Sequence, residues 1–177
     1  MNSRVKDRHL KCALTLTSLL ALALPLLSSA TCTRPMERAF LLQDGLATDR
    51  RTHLTWIRCA IGMHWDTQRQ QCIGRPTGLR QDQARKAATQ AGPGWHVPTA
   101  YELSTLRVDS CVGPKIDAKV FPNVASSEFG EGANFWTSTE ALPGTFYFVN
   151  FADGSVDFHS AGFFLSTILV RNAPGDR

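Results

Sequence analysis

Hydrophobic and polar positions along the chain predict short strands and two helices. Polar and apolar residues alternate over positions 50–59, which also contain the β-favouring residues Thr, Trp and Ile. This pattern indicates a strand. Residues 60–76 are polar and predict a loop. Helix-forming residues fill positions 77–91, and Gly92-Pro93-Gly94 follows them, as is typical where a helix ends.

A second helix is predicted to begin after Thr99. Thr99 and Glu102 have the spacing of a capping box, in which each side chain bonds to the other residue's backbone N–H. Leu103 and Leu106 supply the buried side of this helix. Glu102 therefore has a structural role, and we do not expect it to be catalytic.

Polar and apolar residues alternate again in the C-terminal part of the chain, and this pattern predicts antiparallel strands. Residues 109–131 predict a long irregular loop, with Phe121 packed inward, and Asp153-Gly154 between two alternating runs indicates a hairpin. Strands are predicted over residues 134–139, 145–151, 155–158 and 166–171. A strand, two helices, a loop and then several antiparallel strands predict an α+β domain with a twisted sheet.

The first thirty residues have the pattern of a secretory signal. Basic residues precede an apolar run over positions 14–27, and the small residues at 28–30 predict cleavage after Ala30. The run is interrupted by Pro25 and is shorter than the roughly 20 residues of a membrane span. We therefore expect a bacterial-type protein exported to the periplasm or secreted. The alternatives are an uncleaved anchor and a lipoprotein attached through Cys32.

The expected domain organisation follows from these segments. Residues 1–30 form the signal peptide, 31–47 an N-terminal tail tied by a disulfide, 48–172 the folded domain and 173–177 a flexible tail. The part after the signal is long enough to bury one core.

The cysteine count fits an exported domain. Four cysteines follow the signal, and an even number in such a domain implies two disulfides. Cys59 and Cys72 are thirteen residues apart around a polar segment, so we pair them locally, which leaves Cys32 with Cys111. Zinc is the competing interpretation, but the chain contains no Cys-x-x-Cys spacing.

The charge is less basic than the whole chain suggests. Nineteen Lys and Arg stand against fifteen Asp and Glu, but removal of the signal leaves fifteen against fourteen, which does not indicate nucleic-acid binding. Residues 31–86 carry a net +5 and residues 87–177 a net −4. Unless the two halves mix on folding, this predicts a basic face built from Arg50, Arg51, Arg58, Arg69, Arg75, Arg80, Arg85 and Lys86.

The sequence contains little that indicates catalysis. No Gly-x-Ser-x-Gly, His-Glu-x-x-His or phosphate-binding glycine loop occurs, and the histidines are scattered. We expect no enzyme and no cofactor. Calcium is the alternative, with Asp153, Asp157, Glu128 and Glu131 as its candidate ligands. The turn explains Asp153 without a metal.

Of the four tryptophans, three are expected in the core and one on a candidate binding surface. Trp56, Trp95 and Trp136 are expected in the core. Trp65 lies in the polar segment beside His64 and Asp66 and is expected to be exposed. An exposed aromatic ring beside arginines suits a glycan or a protein partner. The predicted ligand-binding residues are therefore Trp65, Arg69, Arg75 and Arg80.

Six segments in order resemble the Lcl C-terminal domain family, a family of unknown function named after a collagen-like bacterial adhesin. They are LTWIRCAIGMHWD at 54–66, WHVPTAYEL at 95–103, DSCVGPKIDAKVFPN at 109–123, FWTST at 135–139, FVNFADGSV at 148–156 and ILVRN at 168–172. The chain departs from the family pattern at His96, Val97 and Leu169, where the family usually has arginine, leucine and arginine.

This resemblance implies a C-type-lectin-like fold, related to formylglycine-generating enzymes, and extracellular recognition, since the adhesin's domain binds sulfated glycans. The collagen-held trimer does not carry over, because the chain has no Gly-x-y repeat. We predict an exported, non-enzymatic module that binds anionic glycans or an envelope protein. The alternatives are a periplasmic inhibitor or immunity-type protein that acts by protein contact, and an enzyme related to formylglycine-generating proteins.

Overall fold

Short antiparallel strands dominate the fold. A computed structural model describes residues 40–109, 113–122 and 133–173, all of which belong to one unit. Within these ranges the chain forms β1 (Phe40–Gln43), β2 (Leu46–Asp49), β3 (Leu54–Ile57), β4 (Met63–Asp66), β5 (Gln71–Gly74), α1 (Gln81–Gln90), α2 (Ala100–Ser104), β6 (Asn134–Leu142), β7 (Thr145–Asn150), β8 (Val156–Ser160) and β9 (Val170–Asn172). Antiparallel sheets with two helices make this an α+β fold, as predicted.

Three sheets organise the described residues. The first has the strand order β1-β2-β3-β9, the second is the hairpin β4-β5, and the third has the order β6-β7-β8. The last described strand, β9, pairs with β3, in the sheet that also contains the first described strand. The chain enters this sheet at Phe40, eight residues before the expected start of the domain at residue 48.

The core consists of two clusters of buried side chains. In the first, Trp56 of β3 packs with Leu103 and Leu106, the two leucines predicted to face inward from the second helix. In the second, Ala84 and Ala88 of α1 pack with residues that include Trp136, Leu165 and Leu169. Trp56 and Trp136 are fully buried, which confirms their predicted place, and removing such a ring typically costs about 3–5 kcal/mol.

The prediction of a loop over residues 60–76 was wrong, because this segment contains the β4–β5 hairpin. Its turn is closed by Asp66, whose Oδ1 accepts the backbone N–H groups of Gln68 and Arg69 at 2.9 Å. The Cys59–Cys72 disulfide, with Cα atoms 5.5 Å apart, ties β5 to the end of β3. The local pairing of these two cysteines is confirmed, and this covalent link holds a polar hairpin that could not bury a core alone.

Both predicted helices form, but the first is shorter than expected. Leu79 makes a two-way backbone bridge with Leu165, which keeps residues 77–79 extended and starts α1 at Gln81. The helix ends at Gln90, and Gly92 then takes a φ of 111°, as the Gly-Pro-Gly signal predicts. The capping box before α2 is confirmed.

The C-terminal strands follow the prediction, except for the last. β7 and β8 pair around Asp153-Gly154 as expected, whereas β9 covers only Val170–Asn172. Leu165 and Ser166 instead form isolated bridges to Leu79 and Phe135. Phe121 is buried as predicted. The predicted Cys32–Cys111 disulfide, the signal peptide and the far C-terminal tail lie outside the described residues. None of the helices among those residues has the length and apolar character needed to cross a membrane.

Candidate functional site

Two of the predicted site arginines lie at opposite ends of one hairpin. Arg69 lies in the turn between β4 and β5, and its Nη1 donates to Asp66 Oδ2 at 2.6 Å. Arg75 follows Gly74, whose partner Met63 is at the other end of the ladder. Four paired residues separate the two ends by more than roughly 10 Å. A ligand group held by one of these arginines therefore does not reach the other directly.

Arg80 occupies a third location, at the N-cap of α1. Its Nε lies 3.5 Å from Asp82 Oδ1, and its guanidinium lies 5.8 Å from the centroid of the Phe164 ring. Both Arg69 and Arg80 thus have a carboxylate neighbour on their own element. This pairing lowers the positive charge that the predicted basic face offers to an anion.

The fourth predicted residue, Trp65, is half-buried and not freely exposed as expected. The guanidinium of Arg58 lies 3.8 Å from the centroid of its ring, and a Cβ added at Gly45 would lie 3.0 Å from Trp65 Cβ. Arg58 itself is only 3% exposed, so it does not belong to a surface basic face. Burial lowers the pKa of its guanidinium. These contacts give Trp65 a structural role.

The structure instead places a groove of about 860 Å³ between the β2–β3 turn and α2. Its walls carry one cation, one carboxylate and several hydroxyl groups, supplied by Arg51, Thr52, Thr99, Glu102, Ser104 and Thr105. Leu54 and Tyr101 complete the lining, and Tyr101 is 81% exposed. We call this feature the α2 groove.

The turn on one side of the α2 groove is held by a buried carboxylate. Asp49 is 1% exposed, and its Oδ1 accepts the backbone N–H of Arg51 at 2.8 Å. Its second oxygen, Oδ2, lies 3.7 Å from Arg51 Nη2. His53 closes the turn with a φ of 56°, in the left-handed region. The guanidinium of Arg51, whose side chain is 60% exposed, is thereby kept at the edge of the groove.

On the other side, Glu102 combines capping with an ion pair. Its Oε2 accepts the backbone N–H of Thr99 at 2.7 Å, and its Oε1 lies 3.2 Å from His96 Nε2. Burial opposes ionisation of Glu102, but the bonds from His96 and Thr99 outweigh it and lower its pKa to about 2. The bond to Glu102 raises the pKa of His96. Glu102 therefore presents a fixed negative charge to the groove.

Tyr101 is the residue that sequence reasoning missed. It precedes Glu102 and lies two residues before Leu103, which is off the buried stripe that Leu103 and Leu106 define in a helix. An aromatic residue at an outward position of a short, well-capped helix is the signal that could have identified it. Arg51 was included in the predicted basic face but not among the predicted site residues.

Several of the predicted metal ligands and cysteines have structural roles in the described residues. Within residues 40–109, 113–122 and 133–173, no group of three or more His, Cys, Asp or Glu side chains could hold a metal ion. Asp153 Oδ1 accepts both the N–H and the O–H of Ser155, so it closes the turn. Cys59 and Cys72 are buried and bonded to each other, so neither is a nucleophile. Glu128, Glu131, Cys32 and Cys111 lie outside the described residues.

The sequence is similar to a known protein family. The Lcl C-terminal domain family matches residues 45–171, well over half of the sequence. The chain therefore belongs to the Lcl C-terminal domain family. No curated protein matches it.

Proposed function

We propose that this protein is an exported, non-enzymatic recognition module that binds a glycan in the α2 groove. The observation that carries the proposal is the exposed ring of Tyr101 beside a cation, a carboxylate and four hydroxyl-bearing side chains. Sugars offer apolar ring faces that stack on aromatic side chains, and hydroxyl groups that hydrogen-bond to polar ones. An open groove with both kinds of group suits such a ligand.

The charges of the α2 groove narrow the class of glycan. Arg51 is 60% exposed and can hold one anionic substituent, although Asp49 partly offsets its charge, and the anionic Glu102 can accept hydrogen bonds from sugar hydroxyls. Because the two charges have opposite sign, we expect a glycan with few anionic groups to bind here. A highly sulfated polymer would meet the negative charge of Glu102.

We further propose that the fold is C-type-lectin-like. Two helices, a sheet that joins the first strands to the last one and a second antiparallel sheet support this assignment. A comparison of an experimental structure of this protein with lectin-like domains would test the proposal, and a different strand connectivity would contradict it.

A glycan array with the purified protein tests the function, at two salt concentrations and with and without calcium. The Tyr101→Ala variant should bind its array ligand about tenfold more weakly, since a stacking residue at a binding centre typically carries that much affinity. Phe164→Ala is the matched control, because Phe164 is also an exposed aromatic residue but does not line the groove. Equal losses in both variants would contradict the proposal.

A protein partner is the second candidate. Leu41, Leu42, Val156 and Phe158 are exposed apolar residues on β1 and β8, each at the edge of its sheet. Such edges can add a strand from another chain. A blank array with folded protein would favour this candidate, an inhibitor or immunity-type role by protein contact. Capture of a periplasmic protein, lost on substitution of Phe158, would then support it.

A further inference from the structure

A row of side chains crosses the first sheet on the face opposite the first core cluster. The strand register pairs Leu41 with Thr48, Thr48 with Thr55, and Thr55 with Arg171. Directly paired residues project to the same side of a sheet, so these four lie on one face. Trp95 continues the row, because the Arg171 guanidinium lies 4.6 Å from the centroid of its ring.

This face lies opposite the first core cluster, and Ile57 and Trp95 on it pack against the second cluster. The next residue of β3, Trp56, projects to the opposite side and is fully buried in the core with Ala47 and Val170. Leu41, at the far end of the row, is 53% exposed, and Thr48, Arg171 and Trp95 are partly exposed. The row is therefore accessible from solvent at Leu41, Thr48, Arg171 and Trp95, whereas Thr55 in its middle is only 2% exposed.

Arg171 is a cation without a carboxylate neighbour among the described residues. Its Nε is buried and has no hydrogen-bond partner there, and none of the ion pairs within those ranges involves it. The described positions of β1, β2, β3 and β9 on this face contain no acidic residue; they are Leu41, Gln43, Leu46, Thr48, Thr55, Ile57 and Arg171. A partly desolvated guanidinium in such surroundings favours an anion as the partner of its terminal Nη N–H groups.

The indole of Trp95 orients this cation. When a guanidinium stacks on an aromatic ring, its N–H groups point outward in the guanidinium plane, where they remain free for a ligand. Paired N–H groups in a fixed plane match two oxygens of one oxyanion. The stack thus prepares Arg171 to bind a carboxylate or a sulfate group.

The threonine pair beside Arg171 supplies a further donor. Thr48 Oγ1 and Thr55 Oγ1 are 2.9 Å apart, so one of the two hydroxyl protons is used between them. The other proton remains for a separate acceptor. Thr55 is the direct cross-strand neighbour of Arg171, roughly 5 Å away, and Thr48 lies one strand farther along the same face.

We propose that Arg171, Thr48 and Thr55, with Trp95 as the stacking platform, form an oxyanion site for a carboxylate or sulfate group of a larger ligand. This site lies on the face of the first sheet opposite Trp56, and none of its four residues lines the α2 groove. The proposal does not depend on glycan binding in that groove.

The test follows the side-chain N–H signals of Arg171 and Trp95 by NMR, in the purified ¹⁵N-labelled protein. Sodium acetate and sodium sulfate are titrated separately, against sodium chloride at equal ionic strength. We expect saturable shifts of both signals with acetate, sulfate or both, beyond those with chloride. A response to acetate identifies a carboxylate site and a response to sulfate a sulfate site. The absence of a saturable shift with either anion would overturn the proposal.

Two variants separate a specific site from general attraction. Arg171→Lys keeps the charge but removes the planar guanidinium, and should raise the dissociation constant about tenfold. Thr48→Val keeps the shape but removes a hydroxyl, and should raise the dissociation constant about threefold. Arg75→Lys is the control and should have no effect, because Arg75 lies on another part of the fold. Unchanged affinity in Arg171→Lys, or in Thr48→Val if the first variant does not fold, would contradict the assignment.

Discussion

The guanidinium carbon of Arg58 lies 3.8 Å from the centroid of the Trp65 ring. The same guanidinium donates to the backbone carbonyls of Val120 at 2.7 Å, Asp44 at 2.9 Å and Lys119 at 3.1 Å. One buried cation therefore connects β3 with the β1–β2 turn, the segment at 119–120 and the β4–β5 hairpin. A residue that looked like part of a basic surface is an internal cross-link.

Replacement of Arg58 by Met should destabilise the protein by about 2–4 kcal/mol, because three backbone carbonyls, that of the buried Val120 among them, lose charge-assisted donors. Urea unfolding at neutral pH measures this loss. Arg75→Met is the control, and as a surface change it should remain within about 0.5 kcal/mol of the parent. A similar small loss in Arg58→Met would show that water replaces the guanidinium.

The Cys59–Cys72 disulfide should contribute about 3 kcal/mol to stability, as expected for a closed loop of this size. The Cys59→Ala/Cys72→Ala double variant should lose that amount in guanidinium unfolding. Addition of a reductant should destabilise the parent by about this amount more than the variant, in which only the predicted Cys32–Cys111 pair remains to be reduced. If the reductant shifts both proteins equally, the stability does not come from this bridge.

The Glu102–His96 pair should make stability depend on pH in two directions. The folded-state pKa of Glu102 is about 2, below its usual 4.5, so its contribution is present above pH 4.5 and is lost as pH falls toward 2. The pKa of His96 is raised, so its contribution is complete below pH 6.5 and is lost as pH rises through its higher folded-state pKa. The pair should therefore stabilise most between these two ordinary values.

The free energy of unfolding of Glu102→Gln, measured against the parent over this pH range, tests that profile. We expect a deficit of about 1 kcal/mol at its maximum, after allowance for solvent screening. The deficit should decrease on either side of the maximum. A deficit that stays constant with pH would show that only the uncharged capping bond matters. In a His96→Gln background the decrease on the alkaline side should disappear.

Gly62 should tolerate no side chain. Its φ is 95°, and a Cβ there would collide with Thr77 Oγ1 and lie 2.7 Å from the Thr77 backbone nitrogen. Gly62→Ala should therefore cost about 2–4 kcal/mol in thermal or urea unfolding. Gly144→Ala is the matched control, because Gly144 has a φ of 77° but open space around it. It should cost only the backbone strain of about 1 kcal/mol. Equal losses would mean that the contact with Thr77 relaxes.

Local patterns predicted the elements that local forces specify. Thr99 and Glu102 signalled the start of α2, Gly92 the end of α1 and Asp153-Gly154 the turn between β7 and β8. In each case neighbouring residues hold the backbone through a capping bond, a left-handed glycine or a tight turn. The order of the family segments likewise indicated the Lcl C-terminal domain family, which the match over residues 45–171 shows.

Only the tertiary structure decided which charged and aromatic side chains are available to a ligand. Arg58 and Arg171 each lie over an indole, yet the first is buried among carbonyls and the second is partly exposed without a carboxylate neighbour in the described ranges. The β1-β2-β3-β9 order, which joins residues more than a hundred positions apart, determines this difference. Sequence spacing reports the face of a strand but not which strand lies beside it. Which side chains a ligand can reach therefore depends on strand pairing. Burial of the shared core determines that pairing between residues far apart in the sequence.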